Sequence, residues 1–148
     1  MHHIDIAKKE GAKVEFGGNK LNSQGYFMEN TILTNLHDDM KCIKEEVFGP
    51  VMCILKFNNL DEVIDRANNT NYGLSSSIMT SSLNTAIKAS NSIRSGEVLV
   101  NSVLYYDVCT PFGGFKESGH GRENGEACLK SFTETKTVTI KRPDDCIP

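Results

Sequence analysis

Apolar and polar positions change period repeatedly along the chain, and the changes mark alternating helical and extended segments. Residues 4–10 read as the end of a helix that Gly11 stops, with no capping residue ahead of Ile4. Short extended pieces follow at 13–16 and 27–35, separated by the turn Gly17-Gly18-Asn19. Residues 51–57 form a continuous apolar run, the pattern of a strand covered on both faces. Asn59 then suits a helix N-cap, and Asp61 and Glu62 place negative charge where the helix dipole favours it. Leu60, Val63, Ile64 and Ala67 recur at helical spacing and predict the buried face. A turn cluster at 68–73 leads to a short strand at 75–80. Ser82 can cap a second helix with Leu83, Ala86, Ile87, Ser90 and Ile93 on one side. Gly96 ends it, and 97–101 reads as another strand.

From 102 to 121 the periodicity breaks into a long glycine-rich loop, of a length that is usually functional or held by a partner. A short helix around 123–132 and an alternating run of β-formers at 133–141 complete the pattern. Residues 51–101 thus predict a βαβαβ unit with right-handed crossovers. The expected class is α/β, with an open, mostly parallel sheet followed by the loop, the short helix and a last strand. No internal repeat or low-complexity tract interrupts it.

Composition narrows the function classes. The chain has 148 residues and a formal charge of −3, so it lacks the basic footprint of a nucleic-acid binder. No apolar run is long enough to span a bilayer. The first five residues carry neither the basic nor the apolar region of a secretory signal, so a cytoplasmic protein is expected, with the mitochondrial matrix equally compatible. The five cysteines (Cys42, Cys53, Cys109, Cys128 and Cys146) form no C-x-x-C pair and are odd in number, which suits neither a disulfide framework nor a zinc site. The four histidines (His2, His3, His37 and His120) show no i, i+4 pair beside a carboxylate, so no metal is expected.

Two segments are dense in candidate chemistry. In Lys44-Glu45-Glu46-Val47-Phe48-Gly49-Pro50, two carboxylates precede an aromatic and a Gly-Pro turn at a strand's entrance. Pro50 biases Gly49 away from helical angles. A carboxylate held there could accept two hydrogen bonds from vicinal hydroxyls, as acidic residues do with a cofactor ribose. The same residues also fit a plain turn with solvated charges and a core phenylalanine. The second segment, Pro111 to Gly125, is rich in glycine, which implies positive φ or close approach to another surface. It is not a dinucleotide fingerprint, because the third glycine of G-x-G-x-x-G would fall at Asn124 and no strand directly precedes it. Phosphate-loop and nucleophile-elbow motifs are absent as well.

Together these segments resemble the NAD(P)-dependent aldehyde dehydrogenase superfamily. Glu45-Glu46-Val47-Phe48-Gly49-Pro50-Val51 is similar to that family's Glu-Glu-Ile-Phe-Gly-Pro-Val signature. Arg66-Ala67-Asn68-Asn69-Thr70-Asn71-Tyr72-Gly73-Leu74 resembles its Arg-Ala-Asn-x-x-x-Tyr-Gly-Leu turn. Pro111 to Gly125 resembles its Pro-Phe-Gly-Gly-x-Lys-x-Ser-Gly-x-Gly-Arg-Glu segment. Thr133 to Thr139 is similar to its closing Thr-Glu-x-Lys-Thr-Val strand. The resemblance is colinear from about Ile4 to Lys141 and leans toward the general aliphatic and retinal branch. Gly121 to Gly125 is also similar to betaine-aldehyde-type enzymes.

The resemblance implies that Glu46 binds the nicotinamide-ribose hydroxyls of NAD or NADP and that Phe48 packs beside the nicotinamide ring. It implies that Phe112 lines the aldehyde funnel, with Glu123 near the inner solvent channel. Arg122 and Glu134 would belong to a charged network near a subunit interface. The run containing Thr137, Val138 and Thr139 would add to a neighbouring subunit's sheet in a homo-oligomer, a dimer or tetramer. Residues 1–118 would be part of the catalytic domain, and 119–148 the C-terminal loop, helix and oligomerisation strand.

The family's nucleophilic cysteine, general-base glutamate and cofactor domain have no counterpart here, so the expectation is a C-terminal portion that is inactive alone. In the complete enzyme a cysteine thiolate attacks the aldehyde, hydride passes to NAD(P)+, and water releases the carboxylic acid. Glu15-Phe16-Gly17-Gly18 mimics the base motif, with Cys42 and Cys53 downstream. Its flanks match a different family stretch, and neither cysteine has an activating electropositive setting. The alternative reading is a non-catalytic module that docks on full-length subunits through 133–141.

Overall fold

The structure is a computed structural model, and it describes residues 1–22 and 24–141. Helix α1 (His2–Lys9) buries Ile4 and Ala7, carries Asp5 in its first turn and Lys8 and Lys9 in its last, and so complements its dipole at both ends. Gly11, at φ +101°, turns the chain out of the helix, a conformation glycine adopts without steric cost. Strand β1 (Lys13–Phe16) pairs antiparallel with β2 (Thr31–Thr34), which pairs parallel with β3 (Val51–Cys53). Thr31 and Leu33 of β2 are buried, Ile32 and Thr34 only partly, which is the period of two that a strand imposes. The buried Thr31 hydroxyl is satisfied: it accepts from the Gly18 N–H at 2.9 Å and donates to the Glu29 carbonyl at 3.0 Å.

Ala7, Leu33, Met40 and Cys42 form the centre of this half. Val14, Leu36, Ile43, Val47, Val51 and Cys53 pack around them. Cys42 sits on a single turn of helix, α2 (Lys41–Lys44).

The second half begins at α3 (Leu60–Asn68), whose cap is the expected one: the Asn59 side chain accepts from the Glu62 N–H at 2.9 Å. Glu62 answers by accepting from the Asn58 N–H at 2.9 Å, so two free donors at the helix start are satisfied. Strand β4 (Ser75–Ile78), helix α4 (Leu83–Ser92) and strand β5 (Glu97–Val100) follow, with β4 and β5 parallel. Ser82 caps α4 by accepting from the Thr85 N–H. Beyond the glycine-rich loop, a 3-10 turn (Glu126–Cys128) leads into α5 (Leu129–Phe132).

Several expectations need correction. The βαβαβ unit is not one sheet: β3 belongs with β1 and β2, while β4 and β5 form a separate pair. Hydrophobic period identifies strands but not which edges meet, and here a cavity separates β3 from β4. The run at 51–57 contains only a three-residue strand, and it is not covered on both faces, since Met52 is 58% exposed and Ile54 and Phe57 are exposed too. On α4 the buried residue is Ala89, whereas Leu83 is 73% exposed. Ala67 of α3 is exposed as well. Residues 133–141 are exposed and belong to no strand among the described residues, because a strand exists only where an edge receives it. The portion of the 119–148 unit beyond residue 141, Cys146 included, lies outside the described residues.

Candidate functional site

The acidic turn is set by α2 on one side and β3 on the other. Two tight reversals shape it: the Gly49 N–H donates to the Val47 carbonyl, and the Val51 N–H to that of Gly49, both at 2.8 Å. The Pro50 carbonyl is fixed by the Thr31 N–H at 2.9 Å, which ties the turn to β2.

The two adjacent carboxylates differ in their commitments. Glu45 lies 3.4 Å from both His3 Nε2 and Lys41 Nζ, so it joins α1 to α2. Glu46 is exposed and has no hydrogen-bond or ion-pair partner among the described residues. Its backbone neighbour two residues on, Phe48, is 92% exposed. The core-phenylalanine reading of this turn is therefore wrong: Val47, not Phe48, faces the core cluster.

The glycine-rich loop is held to the 68–73 turn by a set of staples. Lys116 Nζ donates to the carbonyls of Asn68 (2.8 Å) and Thr70 (2.9 Å), at the C-terminal end of α3. The Gly73 N–H donates to Ser118 Oγ at 2.9 Å, and the Gly73 carbonyl accepts from both Phe115 and Gly96. Asn68 reaches the other way, donating to the Ser92 carbonyl and accepting from the Arg94 N–H. At Gly96 the loop comes so close that a Cβ would sit 1.5 Å from the Gly113 carbonyl oxygen. Only a glycine fits there.

Within the loop, Phe112 and Glu123 are brought together by reciprocal backbone bonds of 2.8 and 2.7 Å. Phe112 is half-buried and Glu123 exposed. Arg122 turns inward: Nη1 donates to the carbonyls of Gly114 (3.1 Å) and Gly121 (2.6 Å), and its guanidinium lies 5.3 Å from the Phe115 ring centroid. No ion pair joins Arg122 to Glu134 among the described residues. Glu134, Thr137, Val138 and Thr139 are all exposed.

Lys116, Ser118, Asn68 and Gly73 are the residues that sequence reading left without a role. Their signal was present only as turn-forming density in two segments far apart in the chain.

A cavity of about 550 Å³ opens between the two halves, lined by Glu45, Glu46, Val51 and Cys53 on one side and Ser75, Ser76 and Ser118 among others on the opposite side. It brings Glu46 and the glycine-rich loop to one space. Phe48, Phe112 and Glu123 do not line it.

The cysteines near it are set against nucleophilic use. Burial raises the Cys42 thiol pKa, and burial followed by the nearby Cys42 pushes Cys53 to about 11. Glu15, the mimic of a general base, is held below the usual carboxylate range by its contacts with Lys13 and Thr34. Among the described residues no group of three metal-ligating side chains gathers, and no helix is long and apolar enough to cross a membrane.

These elements define an α/β protein of small, mostly parallel sheets joined by helices. A model of the aldehyde dehydrogenase family matches residues 1–138, and the chain belongs to that family. It is 51% identical over 141 residues to cytosolic aldehyde dehydrogenase 1 of Macroscelides proboscideus, covering 95% of this chain and 28% of that protein. Its fold matches the aldehyde dehydrogenase of Bacillus cereus, solved as an NAD+ complex, with a TM-score of 0.89 and 42% identity over 93% of this chain and 28% of the other. Betaine aldehyde dehydrogenase of Staphylococcus aureus follows at 0.85 and 35% identity, over 88% and 27%. The chain thus spans little more than a quarter of the length of these proteins.

Proposed function

We propose that this chain is the C-terminal portion of an aldehyde dehydrogenase, an enzyme that oxidises aldehydes to carboxylic acids with NAD(P)+, and that it is inactive alone. The observation that carries this reading is the family match over residues 1–138, which spans 28% of the length of the relative cited above, in a stretch where burial raises the pKa of Cys42 and Cys53.

The residues present fit the cofactor. Glu46 is an uncommitted carboxylate at a strand entrance, and Phe48 offers an open aromatic face two residues on. In the complete enzyme Glu46 would accept from the nicotinamide-ribose hydroxyls and Phe48 would pack beside the nicotinamide, the group that would supply the hydride acceptor. Phe112 lines the aldehyde's approach and Glu123 sits by the solvent channel, positioned by their mutual backbone bonds and by the Lys116 and Ser118 staples. A carboxylate that receives hydroxyl donors contributes about 1.5–3 kcal/mol. Glu46→Gln in the assembled enzyme is therefore expected to raise KM for NAD(P)+ by roughly ten- to a hundred-fold. An unchanged KM removes Glu46 from the ribose site.

A second reading, a non-catalytic module that associates with full-length subunits, is favoured by the exposure of residues 133–141 and their lack of a strand partner among the described residues. Thr137, Val138 and Thr139 would pair with a sheet edge of the neighbouring subunit. Deleting 133–148 is expected to abolish co-purification with an intact aldehyde dehydrogenase; retention of binding rules out that edge as the contact.

A further inference from the structure

Two thiols meet at the root of the acidic turn. Cys42 lies on α2 and Cys53 ends β3, so the turn from Glu45 to Pro50 runs between them. Both belong to the packing around Leu33 and Met40, Cys42 buried and Cys53 half-buried. The Cys53 thiol donates to the Cys42 carbonyl, its Sγ 3.7 Å from the oxygen. Beyond the effect of burial, each thiol also shifts the other's ionisation, so the side chains themselves adjoin. A disulfide asks for Cα atoms about 4.4–6.8 Å apart, and a sulfur already bonded to its partner's backbone meets that demand with little movement. Both side chains line the 550 Å³ cavity, which gives a small solute a way in, whereas Cys109 and Cys128 do not line it. No third metal-ligating side chain gathers with the pair among the described residues, so the chemistry left to them is a bond between two sulfurs.

We propose that Cys42 and Cys53 are a redox pair, which a peroxide converts to a disulfide that fixes α2 to β3 and pins the turn bearing Glu46. The pair would do so whatever reaction Glu46 serves. Use as two small hydrophobes accounts for the burial of each cysteine, but not for two sulfurs from different elements placed side by side. A buried thiol is a poor nucleophile toward outside reagents, and its best-placed reactant is the other thiol. In the reduced chain the roots of the turn are held by single hydrogen bonds. On the β3 side the Pro50 carbonyl accepts from the Thr31 N–H at 2.9 Å, and on the α2 side the Glu10 carboxylate accepts from the Lys41 N–H at 3.1 Å. A covalent bond across those roots removes the open forms of the turn in preference to the closed one.

The chemistry balances with one peroxide per pair. Cys53, the more accessible thiol, loses its proton to solvent, and its sulfur attacks a peroxide oxygen. The S–O bond forms, the O–O bond breaks, and the departing hydroxide takes up the proton as water. Cys42, deprotonated in turn, attacks the sulfur of that sulfenic acid; the S–S bond forms, the S–O bond breaks, and hydroxide leaves to become a second water. The two thiols lose two electrons, and the peroxide is reduced by two.

The test treats the intact chain with hydrogen peroxide at about pH 8.5, where more of each thiol ionises, and maps its cystines by mass spectrometry of non-reduced peptides. The expected product joins the Cys42 and Cys53 peptides with the loss of two hydrogens, and dithiothreitol reverses it. Cys109→Ser, which removes an exposed thiol that could cross-link chains, should leave that bond unchanged. In the oxidised chain the amides of Thr31, Gly49 and Val51, which the hydrogen bonds of the turn protect, should exchange at least about ten-fold more slowly. Those of Glu97 and Asn101, bonded within the other half, should not change. The urea midpoint should rise, and Cys42→Ala or Cys53→Ala should remove each of these responses to peroxide. Cys53 carried on to sulfinic acid without a link to Cys42, or linked to another cysteine, overturns the pair. Both thiols still free after prolonged exposure overturn it as well, and leave two small hydrophobes. A Cys42–Cys53 bond that lowers the urea midpoint, or leaves the three turn amides exchanging as before, overturns the staple.

Discussion

Cys53 and Glu46 show how the same stretch of chain separates inert groups from available ones. Cys53 packs beside Cys42, its Sγ 3.7 Å from the Cys42 carbonyl oxygen, and burial raises its pKa to about 11. A thiol that stays neutral in the folded state, and ionises near its ordinary value of 9 when unfolded, makes folding pH-dependent on the alkaline side. Its contribution is fully present below pH 9 and is lost as pH rises toward 11. Urea midpoints should therefore fall across that window, and Cys53→Ala should flatten the fall. At neutral pH a thiol reagent should modify the exposed Cys109 well before Cys42 or Cys53. Rapid labelling of Cys53 would mean that its burial is not what controls it. Glu46 and Phe48, one turn earlier, have the opposite character: both are open to solvent. Aromatic residues ordinarily read as core, and nothing in the local pattern separates Phe48 from Val47. Only the resemblance of the whole motif pointed outward.

The elements most legible in the sequence are those fixed by local chemistry. Asn59 and Ser82 cap their helices through side-chain bonds three residues ahead, and Gly11 turns the chain after α1, all as the pattern implies. Asn59→Ala should lower stability by about 1 kcal/mol, and Asn59→Gly by only a few tenths, read from urea denaturation. Equal losses for the two would show that the cap bond is not what Asn59 contributes. The less legible elements depend on contacts between distant segments. The apolar run at 51–57 has the composition of a covered strand, yet Met52, Ile54 and Phe57 are exposed because no second layer lies over them among the described residues. Leu83 and Ile87 form a proper helical stripe on α4 and are exposed for the same reason. The staples from Lys116 and Ser118 to the 68–73 turn span more than forty residues, a separation that no local pattern encodes. They explain why two glycine- and asparagine-rich segments occur in one chain: each closes the other.

At the scale of the whole molecule, two small sheets flank a cavity and much apolar surface is left open. The surface is half again what a monomer of this mass exposes, with Phe48, Leu104, Tyr106 and Phe132 among the large apolar side chains left open. The α/β class and the family were readable in advance, because motif spacing survives without a completed sheet. The division into two sheets was not, because edge pairing is a property of strands brought together in space.

The central claim, that this chain contributes to aldehyde oxidation only as part of a larger family enzyme, is tested most directly by turnover. Reduction of NAD+ in the presence of a short aliphatic aldehyde should be measured for the chain alone, and again after addition of the Bacillus cereus enzyme lacking the matched stretch. The expected result is no reduced cofactor from either component alone and steady production from the two together. Sustained turnover by the isolated chain would contradict the claim, and would point to a thiol outside the Cys42–Cys53 pair, such as the exposed Cys109.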